Sequence, residues 1–312
     1  MEGTPICVLL DGRRVPEDLR RTPDVVVIRR DELEPRELRS GFGSLRAKNA
    51  ALWASPFETF LLLDADAVVW GDVRQLADFE RFDFVLDNGG EPPRAVMDAD
   101  LVARTVPGFD ARAYESRFVN TGAYFGRRGI LDLEYYLELV RLSTTYPGLF
   151  YGSQGTFNLM VLHAAERGGL RLEWRELQLM AGRASREDLA RRCSFTDGGP
   201  VVTGDPFVLH WVGSPKPRVR EDRSDYFAPM TFFRLEARRA ARPEGRSRRA
   251  DLLRLRLEDA LCTDWRGTNA RGRLGRLRRR LDQRWAEWRV AVRSRVPDRV
   301  VANLRRGSPP TD

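Results

Sequence analysis

The sequence predicts an α/β fold with an Arg-rich helical extension at its C-terminal end. Three observations carry that expectation. Short apolar, β-branched runs alternate with helix-patterned segments up to about residue 220, as in a sheet flanked by helices. One run, Phe60–Leu63, is apolar without interruption, which suits a parallel strand buried on both faces. Charge also divides the chain: residues 1–220 hold 29 Arg and Lys against 32 Asp and Glu, and residues 221–312 hold 24 against 13. The net +8 of the 312 residues therefore belongs to the tail. Two regions are expected, a catalytic or binding body over 1–220 and a basic α-helical region over 221–312. A 42% hydrophobic content suffices for a core and excludes a wholly disordered chain.

The elements follow in order. Ile6–Leu10 reads as a buried strand, with Asp11-Gly12 as a turn, and Val25–Ile28 as a second short strand. Ser44–Ala54 reads as a helix with Ser44 as N-cap, stopped by Ser55-Pro56. Phe60–Leu63 is the next strand and runs into Asp64-Ala65-Asp66. Phe82–Leu86 and Thr121–Phe125 are expected strands, Leu131–Leu142 and Gln154–Glu166 expected helices, and Pro206–Trp211 a last strand. Arg-rich helices follow a loose junction at Ala240–Ser247.

Cys7, Cys193 and Cys262 are far apart and form no CxxC pair, so neither a zinc site nor a disulfide framework is indicated. A reducing compartment is the expectation. Met1–Gly12 lacks the basic-then-apolar layout of a signal peptide. The longest stretch free of Asp, Glu, Lys and Arg, Leu142–Ala165, is broken by Pro147, Gly148, Gly152 and polar residues, so it is no membrane span.

Asp64 and Asp66 end an apolar strand two residues apart, which places both side chains on the same side. Ligand sites of open α/β sheets lie outside the carboxyl ends of strands. Two carboxylates there can hold a hard divalent cation, and that cation a diphosphate. The alternative is a merely acidic turn. Asp98-Ala99-Asp100 is an internal control: the same tripeptide with no apolar strand before it, read as a solvated loop or a helix start. Lysine is the other signal. Only Lys48 and Lys216 are lysines, against 51 arginines. In such a chain a retained lysine suggests a compact ammonium that a planar guanidinium cannot replace; chance survival is the alternative.

The segment GSLRAKNAALWASPFETFLLLDADAVVWGDV, Gly43–Val73, resembles the GT-A glycosyltransferases. It is similar to glycogenin and the bacterial lipopolysaccharide glycosyltransferases, and its SPFE…LLLDAD wording also to the fungal α-1,3-mannosyltransferases. Phe118-Val119-Asn120-Thr121-Gly122 resembles the family's F-N-[ST/A]-G strand. Gly152-Ser153-Gln154-Gly155-Thr156-Phe157-Asn158 resembles its G-D-Q-G-x-x-N helix start. His210-Trp211-Val212-Gly213-Ser214-Pro215-Lys216-Pro217 matches its H-x-x-G-x-x-K-P motif. The four stand in the family's order and cover about residues 5–217.

The resemblance implies a GT-A fold, a Rossmann-like mixed sheet flanked by helices, and a transferase using a nucleotide-sugar donor with retention of configuration. It implies Asp64, Asp66 and His210 as ligands of Mn²⁺ or Mg²⁺, and imidazole with carboxylates favours Mn²⁺. Gly213 and Lys216 would close over the donor diphosphate, Lys216 stabilising charge on the leaving nucleotide. Lys48 would reach the donor phosphate or sugar, and Asn120 and Gln154 would contact the donor sugar, Gln154 counting with Lys216 as catalytic. The donor expected is a UDP-sugar, with GDP-mannose second; the acceptor is a glycan or glycolipid. His163, in mid-helix outside the motifs, is read as structural.

The chain departs from the pattern at Ser153, where the family has Asp, and at Arg218, where it has Trp. Pro5–Leu10 resembles the family's second strand, so the natural protein is expected to begin roughly 25–40 residues upstream, the length of a strand and crossover. Ser153 and that short start favour a rival reading, a non-catalytic glycosyltransferase-like scaffold.

In the tail, Leu274, Leu277, Leu281, Trp285, Trp288 and Val292 share one helix face, with eight arginines between Arg273 and Arg293 on the rest. Residues 271–296 suit an anionic membrane interface, which implies a cytoplasmic protein, peripheral on the inner face of the plasma membrane. The alternative is packing on the body or a second subunit. A nucleic-acid-binding arm is a further rival, but no recognition module is visible and no nucleic-acid partner is expected.

Overall fold

In the computed structural model of the chain, the residues described are 3–10, 24–41, 47–88, 92–181, 186–196, 199–211, 231–236 and 247–263. Ser44, Gly213, Lys216, Arg218 and the arm 271–296 lie outside them. Among the described residues the chain is a mixed α/β protein.

The β-branched runs at the start pair in parallel: β1 (Ile6–Leu10) beside β2 (Val25–Arg29), in register Ile6 to Val25. Leu9 and Ile28 from this pair pack against the main core. That core is built on a four-stranded sheet of β3 (Thr59–Leu63), β6 (Ala123–Arg127), β5 (Phe84–Asp87) and β7 (Leu172–Arg175), in that spatial order. A second sheet holds β4 (Ala67–Trp70), β11 (Phe207–His210) and β8 (Gln178–Met180), with β11 in the middle. The strands β9 (Cys193–Thr196) and β10 (Gly199–Val202) form an antiparallel pair.

The expectation for β3 is corrected. It pairs antiparallel with β6 rather than lying in a parallel neighbourhood, and it is an edge of its described sheet. Only Leu62 is buried, and Leu63 is 37% exposed. An uninterrupted apolar run does not distinguish a strand covered twice from one that covers a core on one side only. Among the described strands, β5, β8 and β11 are buried along their whole length, and each is short and mostly apolar.

Two of the described helices begin at an aspartate that caps them. α1 (Ala51–Ala54) continues a 3₁₀ turn at Ala47–Ala50. α2 (Ala99–Thr105) is capped by Asp98, whose carboxylate accepts from the Leu101 N–H, so the control tripeptide is a helix start. α3 (Leu133–Thr145) is capped by Asp132 through the N–H groups of Glu134 and Tyr135. α4 (Ser153–Glu166) is buried almost all round, which is why its composition lacks a polar face. Its Phe157 ring lies 4.4 Å from Tyr124 of β6 and 6.1 Å from Phe84 of β5, so α4 crosses the middle of the main sheet. α5 (Arg186–Arg192) and α6 (Arg248–Thr263) follow, and α6 buries Leu255 against Leu235.

Candidate metal centre

The chain changes sheets at Asp64-Ala65-Asp66. The Asp64 N–H donates to the carbonyl of Gly122 at 2.8 Å, extending the ladder between β3 and β6. The Ala67 N–H then donates to the Asp64 carbonyl at 3.1 Å, closing a turn into β4 of the other sheet. Both carboxylates therefore sit at the corner between two sheets. The antiparallel pairing of β4 with β11 sets His210 opposite Ala67, and the Trp211 N–H donates to the Asp66 carbonyl at 3.0 Å. Backbone register alone thus brings a residue 144 positions along the chain to the pair. His210 Nε2 lies 3.3 Å from Asp66 Oδ1 and 3.7 Å from Asp64 Oδ2. One ligand atom from each of the three residues lies within 4.8 Å of the others.

The imidazole is 3% exposed, and desolvation lowers its pKa below the usual histidine range, opposed in part by the Asp64 charge. Its Nδ1 lies 2.8 Å from Gln178 Oε1. Gln178 Nε2 in turn faces the carbonyls of Asn120 and Ala123, at 3.3 and 3.5 Å. Gly122 is required here: a Cβ on it would lie 2.0 Å from His210 Cε1 and 2.2 Å from Nδ1.

Lys48, in the 3₁₀ turn before α1, holds Asp64 in a salt bridge at 2.9 Å and also donates to the Thr121 carbonyl. Its ammonium lies on both carboxylate oxygens, at 2.9 and 3.1 Å. Asn120 is buried, and its Oδ1 accepts from the Gly122 N–H at 2.8 Å. Gln154, in the first turn of α4, shares with Lys48, Asp64, Asp66, Tyr151 and Ser153 a cleft of about 460 Å³. The structure thus gathers Lys48, Asp64, Asp66 and Gln154 around one cleft, with His210 beside the acidic pair. His163 lies elsewhere, stacked on Tyr135 at 4.4 Å.

No protein-family model matches the chain, and no curated protein matches it. Among the solved structures similar to the chain is the galactosyltransferase LgtC in complex with donor and acceptor sugar analogs, matched over 73% of this chain and 80% of its own, at 13% identity and a TM-score of 0.36. The site is defined by the chain's own geometry.

Three residues that the sequence reading gave no role complete the centre. Gln178 and Gly122 hold the imidazole, and Asp87 accepts from the N–H groups of Leu177 and Gln178 at 3.0 and 2.9 Å. Gln178 carried one legible signal: a lone amide within the apolar run Leu177–Met180. Gly122 stands in the F-N-[ST/A]-G resemblance, but its contact with the imidazole, like the role of Asp87, is visible only once the strands are paired.

Proposed function

We propose that the chain is a metal-dependent glycosyltransferase of GT-A type, moving a sugar from a nucleotide-diphosphate donor to a glycan or glycolipid acceptor with retention. The observation that carries this reading is the convergence of Asp64, Asp66 and His210 at one strand end, beside a cleft. The donor set fits a divalent cation: hard carboxylate oxygens with one imidazole nitrogen, a combination that favours Mn²⁺ over Mg²⁺. Such a cation, when bound, offsets negative charge on a departing nucleoside diphosphate.

The chain's own residues have separate tasks in this reading. Asp64, Asp66 and His210 are the ligands. Lys48 supplies a positive charge to the same cleft, through Asp64. Gln154 stands at the cleft wall, where it would orient the donor sugar, and Asn120 shapes the wall behind it. Gly213 and Lys216 are assigned by the resemblance of their motif to close over the diphosphate, Lys216 stabilising the leaving charge. A UDP-sugar is the favoured donor and GDP-mannose the second. Residues 271–296 are assigned to an anionic membrane surface at the cytoplasmic face. No helix among the described residues is long and apolar enough to cross a membrane.

Release of nucleoside diphosphate from a panel of nucleotide sugars, with and without Mn²⁺, tests the reading. Mn²⁺-dependent release that is lost in Asp64→Ala and in Asp66→Ala is the expected result. Release that survives both substitutions defeats the site assignment. A full chain that binds Mn²⁺ and donor without turnover favours the non-catalytic scaffold, for which Ser153 is the motivating departure.

A further inference from the structure

We propose that Gln178 is a positioning residue that holds His210 in the tautomer with its proton on Nδ1, leaving the Nε2 lone pair turned toward Asp64 and Asp66. The inference rests on the metal-site reading above and adds the group that keeps that site open to a cation.

Donor and acceptor capacities fix the orientation of the Gln178 amide. The end of the Gln178 amide that faces Asn120 O and Ala123 O meets two groups that only accept. That end must be the NH₂. The amide oxygen is then the atom 2.8 Å from His210 Nδ1, and it too only accepts. A hydrogen bond there requires the proton on Nδ1. Gln178 is 6% exposed and His210 3%, so water cannot readily substitute for either partner. Turning the amide over would set an oxygen against two carbonyl oxygens.

The alternative tautomer shows what the arrangement prevents. With its proton on Nε2, His210 would donate toward Asp66 Oδ1, 3.3 Å away. The imidazole and carboxylate would satisfy each other, and neither lone pair would face a cation. Gln178 removes that option by claiming the proton on the opposite side of the ring, as acceptors behind metal-binding histidines do. The amide is itself held in place. Asp87 at the end of β5 accepts the Gln178 backbone N–H at 2.9 Å. Gly122 lets the main chain lie against the pair, since a Cβ there would come 2.7 Å from Gln178 Oε1.

The test uses the metal-free full chain labelled with ¹⁵N-histidine, observed above the titration range of imidazole. The chain has two histidines, and His163→Phe identifies the His210 signals. The Nδ1–H pattern is expected for His210 in the unsubstituted protein; an Nε2–H pattern overturns the proposal by itself, whether or not any variant folds. Gln178→Leu should shift His210 toward Nε2–H and weaken Mn²⁺ binding about 10- to 100-fold in an electron-paramagnetic-resonance titration. Gln178→Glu, with its buried carboxyl protonated, still accepts from Nδ1 and donates its proton to one of the two carbonyls. It should keep the Nδ1–H pattern and bind Mn²⁺ within a few-fold of the parent. Equal losses in both variants would mean that the amide matters only for packing, and an unmoved tautomer in Gln178→Leu also defeats the inference. The two readings fail separately: an Nδ1–H pattern in a protein that binds no Mn²⁺ sinks the metal site and leaves the tautomer assignment standing.

Discussion

The ammonium of Lys48 sits 2.9 and 3.1 Å from the two carboxylate oxygens of Asp64 and 3.1 Å from the carbonyl of Thr121. Opposite unit charges about 4 Å apart attract by about 4 kcal/mol at an effective dielectric of about 20. Both side chains are about one quarter exposed, 24% and 26%, so solvent offsets part of that. Lys48 is thus a built-in counter-ion that any divalent cation must share Asp64 with or displace. Lys48→Met is expected to bind Mn²⁺ about tenfold more tightly, ~1.4 kcal/mol after screening, while donor turnover falls. Mn²⁺ titration of the two proteins decides, and weaker binding in the variant would falsify the competition.

Gly122 is where the main chain comes nearest the imidazole. Its missing Cβ would collide with ring atoms at 2.0 and 2.2 Å, and a buried ring cannot step aside as a chain end can. Gly122→Ala is expected to lose about 1–3 kcal/mol of stability to overpacking and to weaken Mn²⁺ binding at least tenfold, because His210 must move. Thermal denaturation and metal titration of the same preparation give both numbers. Parental values for both would show that the ring has room.

Burial raises the Asp87 carboxyl from 3.8 to about 6, against the hydrogen bonds it accepts from the backbone of Gln178 and Leu177, with the Glu176 charge adding to the rise. The folded protein therefore holds this proton between about pH 4 and pH 6, where the unfolded chain has released it. Proton binding in excess on the folded side means that stability falls as pH rises through this window. The shift corresponds to about 3 kcal/mol, present below the unfolded value and lost above the folded one. Relative to Asp87→Asn, which has no such proton, the unfolding free energy of the parent should decline by roughly 2–3 kcal/mol from pH 4 to pH 7. Urea denaturation at four or five pH values measures this difference. A difference curve that is flat, or that rises with pH, refutes it.

Much of the secondary structure was legible because each signal was local. Leu131–Leu142 reads as a helix from its own residues, and the β-branched Val25–Ile28 reads as a strand without neighbours. The acidic corner was legible for the same reason, since a strand ending in Asp64-Ala65-Asp66 is a local pattern. Partnership was not. β3 looked parallel because burial on both faces and burial on one face leave the same four apolar letters. The short strands β8, β9 and β10 carry too few residues to show a period, and β8 holds Gln178. The tie from Asp87 to Gln178 to His210 spans three strands of two sheets. No spacing in the chain encodes it, because it exists only once β8 lies beside β11.

Asn158 joins the two sides of the cleft from behind. Its Oδ1 accepts from the Val119 N–H at 2.8 Å, and its Nδ2 donates to the carbonyls of Val119 and Gln154, both at 2.9 Å. The side chain is 2% exposed, so the Val119 main chain has no water to turn to if the amide is lost. Asn158→Leu is close in volume and leaves a buried N–H and C=O unpaired, at a cost of about 2–4 kcal/mol. The functional consequence is separable from that cost. Val119 precedes Asn120, and Gln154 opens α4, so the substitution loosens the cleft wall while Asp64, Asp66 and His210 keep their own backbone ties. At a temperature where the variant is fully folded, Mn²⁺ binding should stay within about threefold of the parent, and donor turnover should fall at least tenfold, about 1.4 kcal/mol of barrier. Equal losses of metal binding and turnover would show that Asn158 supports the fold as a whole and not the donor side of the cleft.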